Sequence, residues 1–247
     1  MRKEIILGPI LAIILWQLLT MLGVVDVFFI PAPWAVVYEI VNLFIYGQIV
    51  LDIFVTIYRT SVGFVISILI GVPIGLLMGY SQRINDSLEF IVDFLRSIPG
   101  TALIPLFMFF FGIGNESKIA MGAFASSLVV IINTMYGVSH SNKTRRMAAQ
   151  TIRINRFQLL AKVIFPDALP EIFVGLRIGL STTLILVVVS EMFLGTIVGI
   201  GHRIYNSQLL YRVEEMYAVI IIAGILGYGL NKLFVLLEKK VIHWEGK

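Results

Sequence analysis

Cysteine is absent from the 247-residue chain, which excludes disulfides and thiolate metal sites and says nothing further about compartment. Histidine is scarce: His140, His202 and His243 are too dispersed to suggest a metal site, and each is expected at the surface. Charge is scarce as well. Asp, Glu, Lys and Arg make up 14% of the residues, against roughly a quarter in a soluble domain. The pattern Gly-x-x-x-x-Gly-Lys-Ser/Thr is missing, so the chain has no phosphate cradle and no cofactor is expected on it. No catalytic residue is assigned, since Ser190 beside Glu191 with a distant His202 is weak material for a nucleophile and its base. No stretch alternates polar and apolar residues over about ten positions, as a membrane β-barrel would require.

What remains is strongly apolar, with 58% hydrophobic residues and a mean hydropathy of +0.94. A helix needs about 20 apolar residues to cross a bilayer, and roughly six segments qualify. They are Ile5 to Val24, Val62 to Met78, Ile91 to Phe111, Ile119 to Tyr136, Phe173 to Val198 and Tyr217 to Leu237. The expected fold is therefore all-α, a polytopic membrane protein with one domain over residues 1–247. The first segment is longer than a signal-peptide core and lacks a small-residue cleavage site after it, which predicts a retained helix.

The net charge of +4 is distributed as in a membrane protein rather than a nucleic-acid binder. Arg2, Lys3, Arg83, Arg96, Lys143, Arg145, Arg146, Arg153, Arg156, Lys162, Arg177, Lys239, Lys240 and Lys247 fall on one side, and Lys118, Arg203 and Arg212 on the other. The positive-inside bias then predicts that both termini are cytoplasmic.

Two amphipathic stretches, Val37 to Phe44 and Leu51 to Tyr58, follow the first segment. They are expected along the outer membrane surface or leading into the second span. Gly71, Gly75 and Gly79 recur every four residues, a spacing that lets helix backbones approach closely in lipid. Pro73 within the series leaves a local kink open as the alternative. Between the fourth and fifth spans lies a basic insert of about residues 138–171, expected to form helix, turn and helix. Asn155 and Gln158 make a capping-box pattern. Phe157, Leu160, Ala161 and Ile164 are expected to form one apolar stripe, and Pro166 and Pro170 to end the element. Such a loop either docks a partner or lies on anionic lipid.

Glu191 falls inside the fifth span, where an ionisable residue faces a cavity or a partner. It suits a path or gate residue, or an interhelical bond with Arg203 or His202. Pro99 and Pro105 interrupt the third span, and broken helices are tolerated where they line a cavity. Arg96 beside them could attract an anion or snorkel to the interface.

The chain resembles the permease subunit of an ATP-binding cassette importer that works with an extracytoplasmic binding protein. The resemblance rests on Ala148-Ala149, Phe165-Pro166, Ala168, Pro170 and Gly175-Leu176-Arg177-Ile178-Gly179-Leu180. It rests also on Leu95 to Pro99, Ala102 to Leu106, Phe111 to Gly114, Ser117 to Ala120 and Val188-Val189-Ser190-Glu191-Met192. It is most similar to the nitrate, sulfonate, taurine and bicarbonate branch. Met147 and Arg153 depart from it, standing where the family usually has glutamate and glycine. The resemblance implies a location in the inner membrane of a prokaryote, in contact with lipid. It implies partners: two ATPase subunits carrying ATP and Mg, a second permease copy, identical or not, and a solute-binding protein. It implies a coupling helix docking on the ATPase through Ala148, Ala149, Gln150, Ile152, Arg153, Ile154, Asn155, Arg156 and Pro166. Arg96, Pro99, Pro105, Ser190 and Glu191 are the expected path or gate residues. The rival reading, a secondary transporter acting without an ATPase, would show two related halves, and no internal repeat is evident.

Overall fold

The computed structural model describes residues 4–23, 26, 28–47, 49–151 and 154–242. These form helices α1 (Glu4–Met21), α2 (Pro33–Ile45), α3 (Ile49–Tyr80), α4 (Gln82–Ser97), α5 (Ile104–Phe111) and α6 (Asn115–Ser139). They continue with α7 (Lys143–Thr151), α8 (Arg156–Leu159), α9 (Phe165–Phe193), α10 (Ile200–Leu209) and α11 (Val213–Val241). The fold is all-helical, with no strand among the described residues.

Four helices are long and apolar enough to cross a membrane: α3, α6, the run Arg156–Phe193, and α11. The third expected span, Ile91 to Phe111, is not one straight helix. It falls across α4 and the segment Gly100–Phe111, which meet at 89°. Pro99 stands at the bend with φ −56° and ψ 121°, a conformation outside the α region. If that bent pair counts as one span the number rises to five. The apolar α1 is largely exposed, and Trp16 Nε1 ties it to the Pro31 carbonyl at 3.0 Å.

The second span begins earlier than its hydropathy suggested. The amphipathic stretch 51–58 is the first part of α3 and leads into the span; Asp52, Thr56 and Arg59 are buried, not laid on a surface. The core is a three-helix stack of α3 on α6 and α6 on α9. Gly71, Gly75 and Gly79 form its seam with α6: a Cβ at these positions would lie 2.7 Å from Val130 Cβ, 2.6 Å from Thr134 Cβ and 2.6 Å from Val138 Cβ. The helix continues through Pro73. A buried Ser126–Ser67 hydroxyl bond of 2.9 Å crosses the same seam.

Pro166 and Pro170 do not end the helix of the insert. Arg156 to Phe193 is continuous, because a π-helical turn at Leu160–Ile164 precedes Pro166, with Phe165 N–H donating to Leu160 O. Widening the ladder by one residue relieves the missing proline donor and the ring clash. The fifth span in turn stops at Phe193 rather than Val198, and residues 194–199 form a loop before α10.

Candidate functional site

Two constructions stand at opposite ends of the α3–α6–α9 stack: the insert at one end and a buried polar cluster at the other.

In the insert, α7 and the α8 start flank residues 152 and 153, so Ile152 and Arg153 of the expected docking set lie outside the described residues, as does the side chain of Gln150. The expected cap is present. Gln158 N–H donates to Asn155 Oδ1 at 2.7 Å, and Asn155 N–H to Gln158 Oε1 at 3.3 Å. The expected apolar stripe is present only at Leu160 and Ile164, which pack in the core. Phe157 is 76% exposed and Ala161 is exposed as well, while Leu159 and Ile164 are the buried residues. The π turn shifts the face that the 3.6-residue period predicted. Ala149, Leu159 and Ile164 belong to the same apolar core as Val130, Val138, Ala168 and Ile172 of the spans, with Ile154 packed against it. The insert is thus part of the bundle.

Polar ties fix it further. Asp167 accepts from Asn142 N–H at 2.5 Å and pairs with Arg145. Arg146 donates to the Val138 carbonyl. Ala148, Asn155 and Arg156 are exposed, as is Met147. Ala148 and Pro166 line a cleft of about 360 Å³ with Arg145, Lys162, Val163 and Asp167. The outward surface is therefore apolar knobs, Met147 and Phe157, set in a basic surround. Periodicity places Phe157 on one apolar stripe with Leu160 and Ile164, and so does not single it out as an exposed knob.

At the other end, Glu191 is 1% exposed. Its partner is neither Arg203 nor His202 but Arg59 of α3, whose Nη1 lies 2.6 Å from Glu191 Oε1. Thr56 Oγ1 lies 2.9 Å from both carboxylate oxygens, and Gly201 N–H donates to Oε2 at 3.0 Å. Arg59 also donates to Asn115 Oδ1 at 2.8 Å, the Val198 carbonyl at 3.0 Å and Thr196 Oγ1 at 3.3 Å. A buried ion pair is tolerated when its remaining donors and acceptors are matched in this way.

The rest of the cluster seals the 194–199 loop. Asp52 accepts from Gly199 N–H at 2.8 Å and pairs with Arg203 at 2.5 Å, which also reaches Glu215 at 3.3 Å. Ile200 N–H donates to Thr56 Oγ1 at 3.0 Å. Buried Lys118 donates to the carbonyls of Ile113, Gly114 and Leu194 at 2.7, 2.9 and 3.3 Å. Gly199 has φ +136°, and a Cβ there would lie 2.5 Å from the Glu191 carboxyl carbon. Only glycine fits both demands.

The expected path residues separate into two groups. Ser190 and Glu191 are buried within the chain, Ser190 Oγ donating to Val187 O at 2.7 Å. Arg96 and Pro99 stand at the bend, and Pro105 lies beyond it in the first turn of α5. Arg96 pairs with Asp93 at 3.3 Å, both exposed, and lines a recess of about 250 Å³ that also takes in Thr182 and Ile185 of α9.

Comparison with known proteins agrees with this architecture. Residues 71–243 match the family described as binding-protein-dependent transport system inner membrane component. A Bacillus subtilis relative whose name assigns it to aliphatic sulfonates transport, the permease protein SsuC, is 31% identical over 97% of this chain and 87% of its own length. The taurine transport system permease protein TauC of Escherichia coli is 28% identical over 94% of this chain and 86% of its length. Among solved structures, a chain of the MetNI methionine ABC transporter in inward facing conformations superposes with a TM-score of 0.69 at 20% identity. That superposition covers 77% of this chain and 94% of the other.

Proposed function

Because the chain belongs to the family of binding-protein-dependent transport system inner membrane components, we propose that it forms the solute path of an ATP-driven importer. In this reading the α7 end faces the cytoplasm of a prokaryote, six segments cross the inner membrane, and both termini are inside. A second permease copy, identical or not, completes the path. Two ATPase subunits, which bind the ATP and Mg, seat the insert from below. An extracytoplasmic binding protein delivers the solute. The relatives' names favour a small oxyanion as cargo, organic sulfonates first, with nitrate and bicarbonate as the other members of the same chemistry.

The observation that carries the coupling role is the shared core. Ala149, Leu159 and Ile164 pack with the α6 and α9 residues, and the helix from Arg156 to Phe193 is a single rod of about 57 Å at 1.5 Å per residue. A push on Met147 and Phe157 would move α9 bodily. At its far end Glu191 and the 194–199 loop would register that motion, so the Arg59–Glu191 cluster is a gate-positioning element, with Arg96, Pro99 and Pro105 nearer the path.

Co-expression with candidate ATPases, purification and reconstitution in vesicles test the reading. ATP-dependent uptake of a radiolabelled sulfonate, raised by the loaded binding protein, is the expected result. Uptake by this chain alone, driven by a proton gradient, would favour a secondary transporter; none of the relatives above carries a name of that kind.

A further inference from the structure

One face of α9 is left uncovered and carries a charge among apolar residues. Val174, Arg177, Ile178 and Ile185 are exposed, and Ser181 and Thr182 are half-buried. Their spacing of three and four residues places them on one face. Arg177 stands about 18 Å along the helix from Phe165, within the long apolar run Arg156–Phe193. Its Nε donates to Asn231 Oδ1 of α11 at 2.9 Å, and among the described residues no salt bridge neutralises it.

An ionised side chain within a span turns to a water-filled cavity or a partner rather than to acyl chains. Snorkelling to the headgroups would satisfy Arg177 alone. Ser181 and Thr182 continue the stripe deeper, their hydroxyls donating to the Arg177 and Ile178 carbonyls of the same helix at 3.4 and 3.0 Å. Arg177, Ser181 and Asn231 share a recess of about 330 Å³, with Glu238 near the end of α11 also on its wall. On the other flank of the stripe lies the recess holding Arg96 and Thr182.

We infer that the Arg177–Ser181–Thr182 face of α9 lines the aqueous path against the second permease subunit, and that Arg177 is its anion-contacting residue. With Nε held by Asn231, the two terminal nitrogens of the guanidinium remain for paired bonds to a sulfonate, nitrate or bicarbonate group. This rests on the importer reading and adds the residue that would recognise the charge of the cargo.

The absence of cysteine makes single-thiol labelling clean. Ser181→Cys, in the full chain in lipid vesicles, is treated with an anionic and with a cationic water-soluble methanethiosulfonate, each rate divided by that of a free thiol. Ile225→Cys, at an exposed apolar position of α11, is the lipid-facing control, and Thr182→Cys replaces Ser181→Cys should the latter not assemble. The anionic reagent is expected to be preferred by about three- to tenfold, the effect of one nearby positive charge in water. Adding Arg177→Gln should abolish that preference. The preference should be equal in phosphatidylcholine vesicles and in vesicles containing phosphatidylglycerol. Labelling no faster than at Ile225→Cys overturns the proposal, as does a preference indifferent to Arg177→Gln. A preference that appears only without anionic lipid also overturns it, by assigning Arg177 to a headgroup. The readout needs neither ATP nor an identified solute, so failure to capture an ATPase would not decide it.

Discussion

Arg59 and Glu191 lie 132 residues apart, and their pairing is the clearest case of a contact that periodicity cannot supply. Hydropathy places Glu191 inside a span and says it needs a partner. Which helix stands opposite is decided by tertiary packing, so the nearby Arg203 and His202 were natural but wrong candidates. Glu191→Leu leaves a guanidinium buried among carbonyls and should cost about 3–5 kcal/mol, read as a fall in unfolding temperature of the detergent-purified chain. Arg59→Met combined with Glu191→Leu should recover much of that loss. If the two losses simply add, the pair is not the unit described. Asn155 is the opposite case, since its cap is local and was legible from two residues at the right spacing. Asn155→Ala should cost about 1 kcal/mol, seen as faster amide exchange at Arg156 to Leu159, with exchange in α6 unchanged.

Among the elements, the seam of α3 on α6 could be anticipated because small residues every four positions specify a face and a close approach together. Gly75→Val should disrupt it. Even a Cβ would lie 2.5 Å from the Ile131 carbonyl oxygen, a backbone atom that cannot rotate away, and overpacking of this kind costs about 1–3 kcal/mol. Thermal unfolding of the variant checks the size, and a wild-type midpoint would refute the seam. The prolines were harder to interpret. Pro99 stands at the 89° bend between α4 and the segment that follows, whereas Pro166 and Pro170 sit within a continuous helix. The residue is the same; what differs is whether a π turn and packed neighbours re-satisfy the freed carbonyls. Sequence spacing carries no sign of that turn, which is why Phe157 and Ala161 are expected on one stripe with Leu160 and Ile164 but stand exposed in the structure.

At the scale of the molecule, the basic insert and a sealed loop occupy the two ends of one continuous helix, Arg156 to Phe193. That arrangement suits a machine in which force enters at one membrane face and a barrier responds at the other. The family was legible in the sequence, because its motifs fall on the loop, the bend and Glu191 alike. The cluster around Glu191 was not, because Asp52 and Thr56 belong to an amphipathic stretch, Leu51 to Tyr58, whose pattern fits a surface helix as well as the start of a span, and Arg59 follows directly after it. The account's central claim is that the insert is gripped by an ATPase. Phe157→Cys, 76% exposed in the native position and the sole thiol of the chain, is placed in the co-expressed complex with a photoactivatable thiol-linked probe. A cross-linked product with the ATPase subunit, its yield changed by ATP, is the predicted result. Adducts to phospholipid alone, in a complex shown to be assembled, would contradict it.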